Sequence, residues 1–460
     1  MDGEPVRGGP VARLRHLVTQ AIRLGPVGVG RAIVRRSLFA QRWRYVYYIA
    51  AYALWRRVLR VDPWQVAFLS DSRGRVSGNL AYLRAEIVRQ SPRTRVVAVL
   101  RPSGRRPRSL SQMLRLPLVL ARSRVVVLDD FYPMIYQLNL RPETDLGQVW
   151  HAVGAFKRVG HSRAGLPGGP VPGSRIHRNY TWATASSEAV RPDIAESFGI
   201  DASRVHALGV PRTDPLFDEQ AVASARQRVR ARLGMADGTK LVLFAPTFRG
   251  HGARTAHYDL DLVDMPRLAQ TLGPDWLVAV KLHPFIPPMP PLPGIADVTA
   301  ERELTELLMA ADVLVTDYSS AIFEAAMLRC PVVFFAPDIA EYTASRDFYR
   351  PFERYLIGPL VTEPASLAAA IEQAHVDDAV LAPFLAEFTS ACDGHSAARI
   401  AAQLVLAGAP EGGVQGEAAG EVPGGAVGEV PGGAPDGAVG EAQGDTQGGA
   451  GGEPGGREAE

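Results

Sequence analysis

His151 and His283 each close an apolar run and precede a turn, with a lysine close by: Lys157 lies six residues after His151, and Lys281 two residues before His283. An imidazole suits proton transfer near neutral pH, and an ammonium beside it adds a compact positive charge for an anionic substrate. Only three lysines occur against 47 arginines, so two of three beside a histidine is informative. Period-two alternation puts Lys281 and His283 on one strand face, and Pro284 then turns the chain out of the sheet. Two further turns, Gly209-Val210-Pro211-Arg212-Thr213-Asp214 and Ala245-Pro246-Thr247-Phe248-Arg249-Gly250, present an arginine with a hydroxyl, a pairing suited to pyrophosphate. A third turn, Thr316-Asp317-Tyr318-Ser319-Ser320, leads into a helical pattern, so two hydroxyls are expected at an N-cap where N–H groups and the helix dipole favour an anion. Each feature alone also reads as ordinary structure: a strand-end histidine, a surface arginine, a capped helix. Their matching positions in two halves of the chain favour one site for a phosphorylated ligand.

Elements able to hold these residues follow from the apolar pattern. Strands are expected at Val66–Leu69, Arg95–Leu100, Arg124–Leu128, Gln148–His151, Thr181–Ala185 and Val205–Leu208. A charged helix at Ala221–Leu233 precedes a second series at Leu241–Ala245, Leu277–Leu282, Val313–Val315, Val332–Phe335 and Tyr355–Ile357. Strands alternating with helices imply an α/β fold of two doubly wound parallel-sheet domains, residues 61–220 and 221–408, with ligand in the cleft between their carboxyl edges.

Charge is concentrated at the ends. The first 60 residues hold twelve arginines against Asp2 and Glu4, whereas residues 409–460 carry one arginine and ten acidic groups. The body between is nearly neutral, which argues against nucleic acid as a partner. No secretory signal is expected. Val11, Leu14, Leu17, Val18, Ala21 and Ile22 form an apolar helical face opposite arginines, and Trp43–Trp55 is an aromatic apolar run too short to span a bilayer of ~20 residues. Residues 1–60 are therefore expected to be basic amphipathic helices at an anionic membrane surface, a helical hairpin packed on the protein being the other reading. The Gly, Glu, Pro and Ala tail from 409 to 460 is expected to be disordered. Cys330 and Cys392 have no metal or redox spacing.

Taken together, Trp150-His151 with Lys157, the Arg212 and Arg249 turns, Lys281-Leu-His283-Pro284, and Asp317-Tyr-Ser319-Ser320 with Glu324 resemble the CDP-glycerol glycerophosphotransferases of teichoic-acid synthesis. Arg75-Val-Ser-Gly78-Asn79 and Asp393-Gly394 extend the likeness over residues 64–405. One departure is the loop Ala152-Val153-Gly154-Ala155-Phe156, one residue longer than the Trp-His-Gly-Thr-Pro type loop usual before the lysine in the polymerase form. The resemblance implies a GT-B-like fold, a CDP-glycerol or related CDP-alditol donor, a lipid-linked polyol-phosphate acceptor, and a peripheral place on the cytoplasmic face of the cell membrane. It makes His151 the general base. Lys157, Arg212, Thr247, Arg249, His283, Asp317, Ser319, Ser320 and Glu324 become substrate-binding residues, with Asp317 either orienting its turn or contacting the donor. No cofactor is evident, and a divalent cation stays open. The other enzyme reading is a GT-B glycosyltransferase using a nucleotide sugar.

Overall fold

A computed structural model describes residues 45–101, 109–166, 169–250, 255–283, 285–286, 289–301, 304–345 and 347–409. The expected helix over residues 11–22, the tail from residue 410 and Pro284 lie outside them. The chain divides into two units, Met1–Arg60 with Arg108–Arg122 and Val61–Pro107 with Ser123–Glu460.

In the first unit the aromatic run forms a helix over residues 45–58. Tyr48, Ala51 and Tyr52 are buried along one side, while Val46, Tyr47, Ile49, Leu54 and Val58 are exposed. The unit also holds helix Leu110–Arg122, which carries Pro117. Among the described residues, no helix is long and apolar enough to cross a membrane.

The second unit contains both sheets. β1 (Asp62–Ser70), β2 (Arg95–Leu100), β3 (Ser123–Leu128), β4 (Asp145–Gln148), β5 (Trp182–Thr184) and β6 (Val205–His206) form the first, in the order β2-β1-β3-β4-β5-β6. All its pairs are parallel. β3, Ser-Arg-Val-Val-Val-Leu, is buried at every position, as expected where a parallel sheet is covered on both faces. Val66, Phe68, Val125 and Val127 pack against Leu80, Leu83 and Ile87 of helix Asn79–Gln90. Ile400, Ala401 and Val405, from the far end of the chain, complete that cluster. The return is pinned by Arg124, which donates to the carbonyls of Val405 and Ala407.

The second sheet is built from β7 (Lys240–Phe244), β8 (Trp276–Val280), β9 (Ile295–Asp297), β10 (Val313–Thr316), β11 (Val332–Phe335) and β12 (Leu360–Val361), again all parallel. Its order is β12-β11-β10-β7-β8-β9. Numbered within this sheet, that is the 3-2-1-4-5-6 order of dinucleotide-binding folds, whose ligand crevice opens where the strand order reverses. Here the reversal falls between β7 and β10, so the turns after these strands, carrying Thr247–Arg249 and Asp317–Ser320, flank it.

Some expected boundaries move. β4 ends at Gln148 rather than His151, because Trp150 turns the chain with a φ of 45°. β8 ends at Val280, so Lys281 and His283 lie beyond the strand and share no strand face. Phe352–Tyr355 is a 3-10 turn, not the start of a strand. The strand against β11 begins after Gly358, where a Cβ would meet the Val332 carbonyl at 1.8 Å. β9, a three-residue edge strand after a proline-rich stretch, has too short an apolar signal to be read from sequence.

Candidate active site

A cleft of about 200 Å³ opens along residues 150–157, Thr247, Phe248, His283 and Tyr318 to Ser320. Of the ten predicted site residues, it is lined by His151, Lys157, Thr247, His283, Ser319 and Ser320. Arg212, Arg249, Asp317 and Glu324 are not among its lining residues and make their contacts within the protein.

His151 comes from the turn after β4. Gln148 organises that turn: its side-chain oxygen accepts from Trp150 N at 3.0 Å, while its amide donates to the Asp130 carbonyl and the Tyr180 hydroxyl. The Trp150 ring lies 4.5 Å from the His151 ring and edge-on to Phe198 and His177. Burial pushes His177 down to about 3, so this packing partner is neutral at physiological pH. Farther along, Gly154 adopts a φ of 69°, and a Cβ there would enter the Phe323 ring. Only glycine combines that left-handed backbone with so close an approach. Lys157 then pairs with Phe348 in an antiparallel bridge, its Nζ 5.5 Å from the centre of the Tyr342 ring.

His283 lines the cleft after β8, its ring packed against those of Phe248 and Phe285, which also touch each other. Its Nδ1 accepts the backbone N–H of Phe285 at 3.1 Å. A neutral imidazole with Nδ1 as acceptor carries its proton on Nε2, making that nitrogen a donor suited to an anionic oxygen.

Asp317, fully buried, accepts from Thr247 N at 2.8 Å, Thr247 Oγ1 at 2.9 Å, Tyr318 N at 2.6 Å and Arg249 Nη1 at 2.9 Å. Arg249 also grips Asp338 through Nε at 2.6 Å and Nη2 at 3.0 Å. Its guanidinium sits 4.9–5.6 Å from the centres of the Tyr258, Tyr318 and Tyr342 rings. Burial opposes that charge, but Asp338 and Asp317 outweigh it and raise the Arg249 pKa further. This network ties the turn after β7 to the turn after β10 and fixes Thr247 beside Ser319. Asp338 escaped the sequence reading, although its place three residues past β11, next to β10, was the available signal.

At the serine turn, Ser319 Oγ accepts from Ala321 N at 3.2 Å, whereas Ser320, the N-cap residue, makes no side-chain capping bond. The expected double-hydroxyl cap is thus a single one, on a seven-residue helix, Ala321–Met327. The Arg212 turn also differs from expectation. Thr213 is buried and donates to the Val210 carbonyl, and Asp214 accepts from Ser396 N and Ala397 N. Arg212 donates from Nε to the His151 carbonyl at 2.9 Å and forms an ion pair with Glu324. Among the described residues, no group of three or more His, Cys, Asp or Glu is placed to hold a metal ion.

Away from the cleft, Asp129 and Asp130 lie side by side at the end of β3. Burial, with the neighbouring Asp129 charge, pushes the Asp130 carboxyl up to about 7. Its Oδ2 accepts from Ser70 Oγ at 2.7 Å and Ser72 N at 3.1 Å.

The chain is similar to known proteins over most of the described residues. The teichoic acid poly(ribitol-phosphate) polymerase of Bacillus spizizenii is 39% identical over 355 residues, 76% of this chain, which spans 57% of that relative's length. The teichoic acid ribitol-phosphate primase of the same species is 32% identical over 76% of this chain and 93% of its own. Among solved structures, the wall teichoic acid polymerase TagF superposes with a TM-score of 0.65 over 82% of this chain and 97% of that one, at 21% identity, and so shares the fold. Residues 50–406 match the family described as CDP-Glycerol:Poly(glycerophosphate) glycerophosphotransferase, and the chain belongs to it.

Proposed function

We propose that this protein transfers an alditol phosphate from a CDP-activated donor to a hydroxyl of a lipid-linked teichoic-acid-type polymer, releasing CMP. The observation that carries this reading is the meeting of His151, from the first sheet, with His283, Lys157 and the Ser319-Ser320 turn around one cleft in a chain of this family. The motif resemblance favours glycerol phosphate as the transferred group. Both relatives described above are named for ribitol phosphate, so ribitol phosphate is the group we favour.

In this reading the acceptor hydroxyl gives its proton to His151 as its oxygen attacks the phosphorus bearing the alditol. The bond from that phosphorus to the bridging oxygen breaks, and CMP leaves with the electron pair. His283 Nε2–H, the Lys157 ammonium and the hydroxyls of Thr247, Ser319 and Ser320 stabilise the charge on the pyrophosphate. Arg249 and Asp317 act behind them by holding the two turns in register. The apolar exposed side of helix 45–58 and the arginines before it bring the enzyme to the cytoplasmic face of the membrane as a peripheral protein.

The test is a donor screen on the purified protein with a lipid-linked polyol-phosphate acceptor. CDP-ribitol is expected to release CMP faster than CDP-glycerol. Nucleoside diphosphate release from nucleotide sugars, with no CMP from either CDP-alditol, would instead establish the glycosyltransferase reading.

A further inference from the structure

The turn that carries His151 is held in a conformation its own residues disfavour. Trp150, with a φ of 45°, sits in the left-handed region, where a Cβ crowds the backbone and residues other than glycine are disfavoured. Two successive carbonyls of this turn are gripped from outside. Asn79 Nδ2 donates to Trp150 O at 2.5 Å, and Arg212 Nε donates to His151 O at 2.9 Å. The two grips are locked together, because Asn79 Oδ1 accepts the backbone N–H of Arg212 at 2.9 Å. Asn79 is fully buried. Arg212 in turn pairs with Glu324, which is 3% exposed and belongs to the helix that follows the serine turn.

We propose that Asn79, Arg212 and Glu324 are positioning residues: a clamp on the backbone of the His151 turn that ties the base on the first sheet to the serine turn on the second. The proposal rests on the reading of His151 as the base. It departs from the roles the family resemblance implies, in which Arg212 holds pyrophosphate and Glu324 contacts the donor. Arg212 commits Nε and Nη2 to the protein, Glu324 is buried, and none of the three lines the cleft. A clamp of this kind acts on the rate of proton transfer, since a displacement of ~1 Å at a reacting group costs on the order of 100-fold.

Two near-isosteric changes test it. Asn79→Asp keeps the acceptor for Arg212 N but turns a carboxylate oxygen toward the Trp150 carbonyl; Glu324→Gln keeps the shape of the ion pair and removes its charge. In the full-length protein, with the CDP-alditol that wild type turns over, each is expected to lower kcat about 10- to 100-fold. The donor Kd measured by calorimetry stays within about twofold, because the clamp does not touch the donor. In a His151→Ala background neither change should lower turnover further, a non-additivity that general loss of structure would not produce. If His151→Ala itself turned over like wild type, the base reading would fall and the clamp with it. If His151→Ala were inactive but both clamp variants kept wild-type kcat, the clamp alone would be overturned. A tenfold loss of donor affinity at unchanged kcat would also overturn it and put the Arg212–Glu324 pair at the donor.

Discussion

Replacing Arg249 by leucine separates scaffolding from donor binding, because the two roles predict opposite ranks of effect. The change removes one charge-assisted bond to Asp317 and two to Asp338. Asp317 is fully buried, and breaking such a pair from one side costs about 3–5 kcal/mol. It keeps three other donors, which places its share at the lower end of that range. The Asp338 side chain is 27% exposed, so water replaces much of what it loses. The three ring contacts add about 0.5–1 kcal/mol each, the lower part of the range for such contacts, since the Arg249 side chain keeps some exposure to water. The expected destabilisation is about 4.5–6 kcal/mol in total, with a smaller loss for Arg249→Lys, which keeps the charge but not the planar fork. Urea unfolding with a shared m-value measures it, and a cycle with Asp338→Asn should return a coupling of about 0.5–3 kcal/mol. Calorimetry with the CDP-alditol completes the assay. Stability within about 1 kcal/mol of wild type together with a tenfold weaker donor would refute the scaffold argument and put the Arg249 guanidinium on the pyrophosphate.

His283→Ala should weaken the CDP-alditol about 10- to 100-fold, the size of one lost bond to a charged group, and an unchanged Kd by calorimetry would remove His283 from the donor site. Asp130 titrates near 7 in the folded protein against about 3.9 when unfolded, so folding takes up a proton between these values. Its contribution is full below the unfolded value and is lost as pH rises through 7; Asp130→Asn should therefore raise Tm relative to wild type more at pH 8 than at pH 5, and a difference independent of pH contradicts this. Ile49→Glu with Leu54→Glu places two charges on the exposed apolar side of helix 45–58 and should release the full-length protein from phosphatidylglycerol vesicles in a sedimentation assay, as should high salt. Equal pelleting of variant and wild type means that side does not meet the membrane.

The sheets were legible because strands of parallel sheets buried on both faces are written as short apolar runs; β2 and β11 match the expected bounds to the residue. Strand ends were less so. Val149-Trp150-His151 and Lys281-Leu282-His283 look like continuing strand; nothing local announces the positive φ at Trp150, and Pro284 announces a turn without showing that β8 already ends at Val280. Residue types at the cleft could be read for the same reason as the strands: His151, Thr247, His283 and Ser319 stand just past strand ends. What could not be read is which side of the wall a charged residue faces. Arg249 meets Asp338 across 89 positions and the Arg212 guanidinium meets Glu324 from the other sheet, and an arginine on a turn looks the same whether it faces a phosphate or a carboxylate.

The return of residues 400–405 to the first sheet sets an order of assembly during synthesis. Leu80, Leu83 and Ile87 leave the ribosome early, yet the cluster they share with Ile400, Ala401 and Val405 cannot close until both sheets have been made. Arg124 likewise waits for the carbonyls of Val405 and Ala407. The second sheet, contiguous from residue 240 to 361, has no such wait. A nascent chain therefore carries its first half with an uncovered apolar side while the second half folds, a period in which chaperone binding and protease cleavage find their substrate. A stop codon between residues 362 and 399 leaves the strands of both sheets present and the first sheet unsealed.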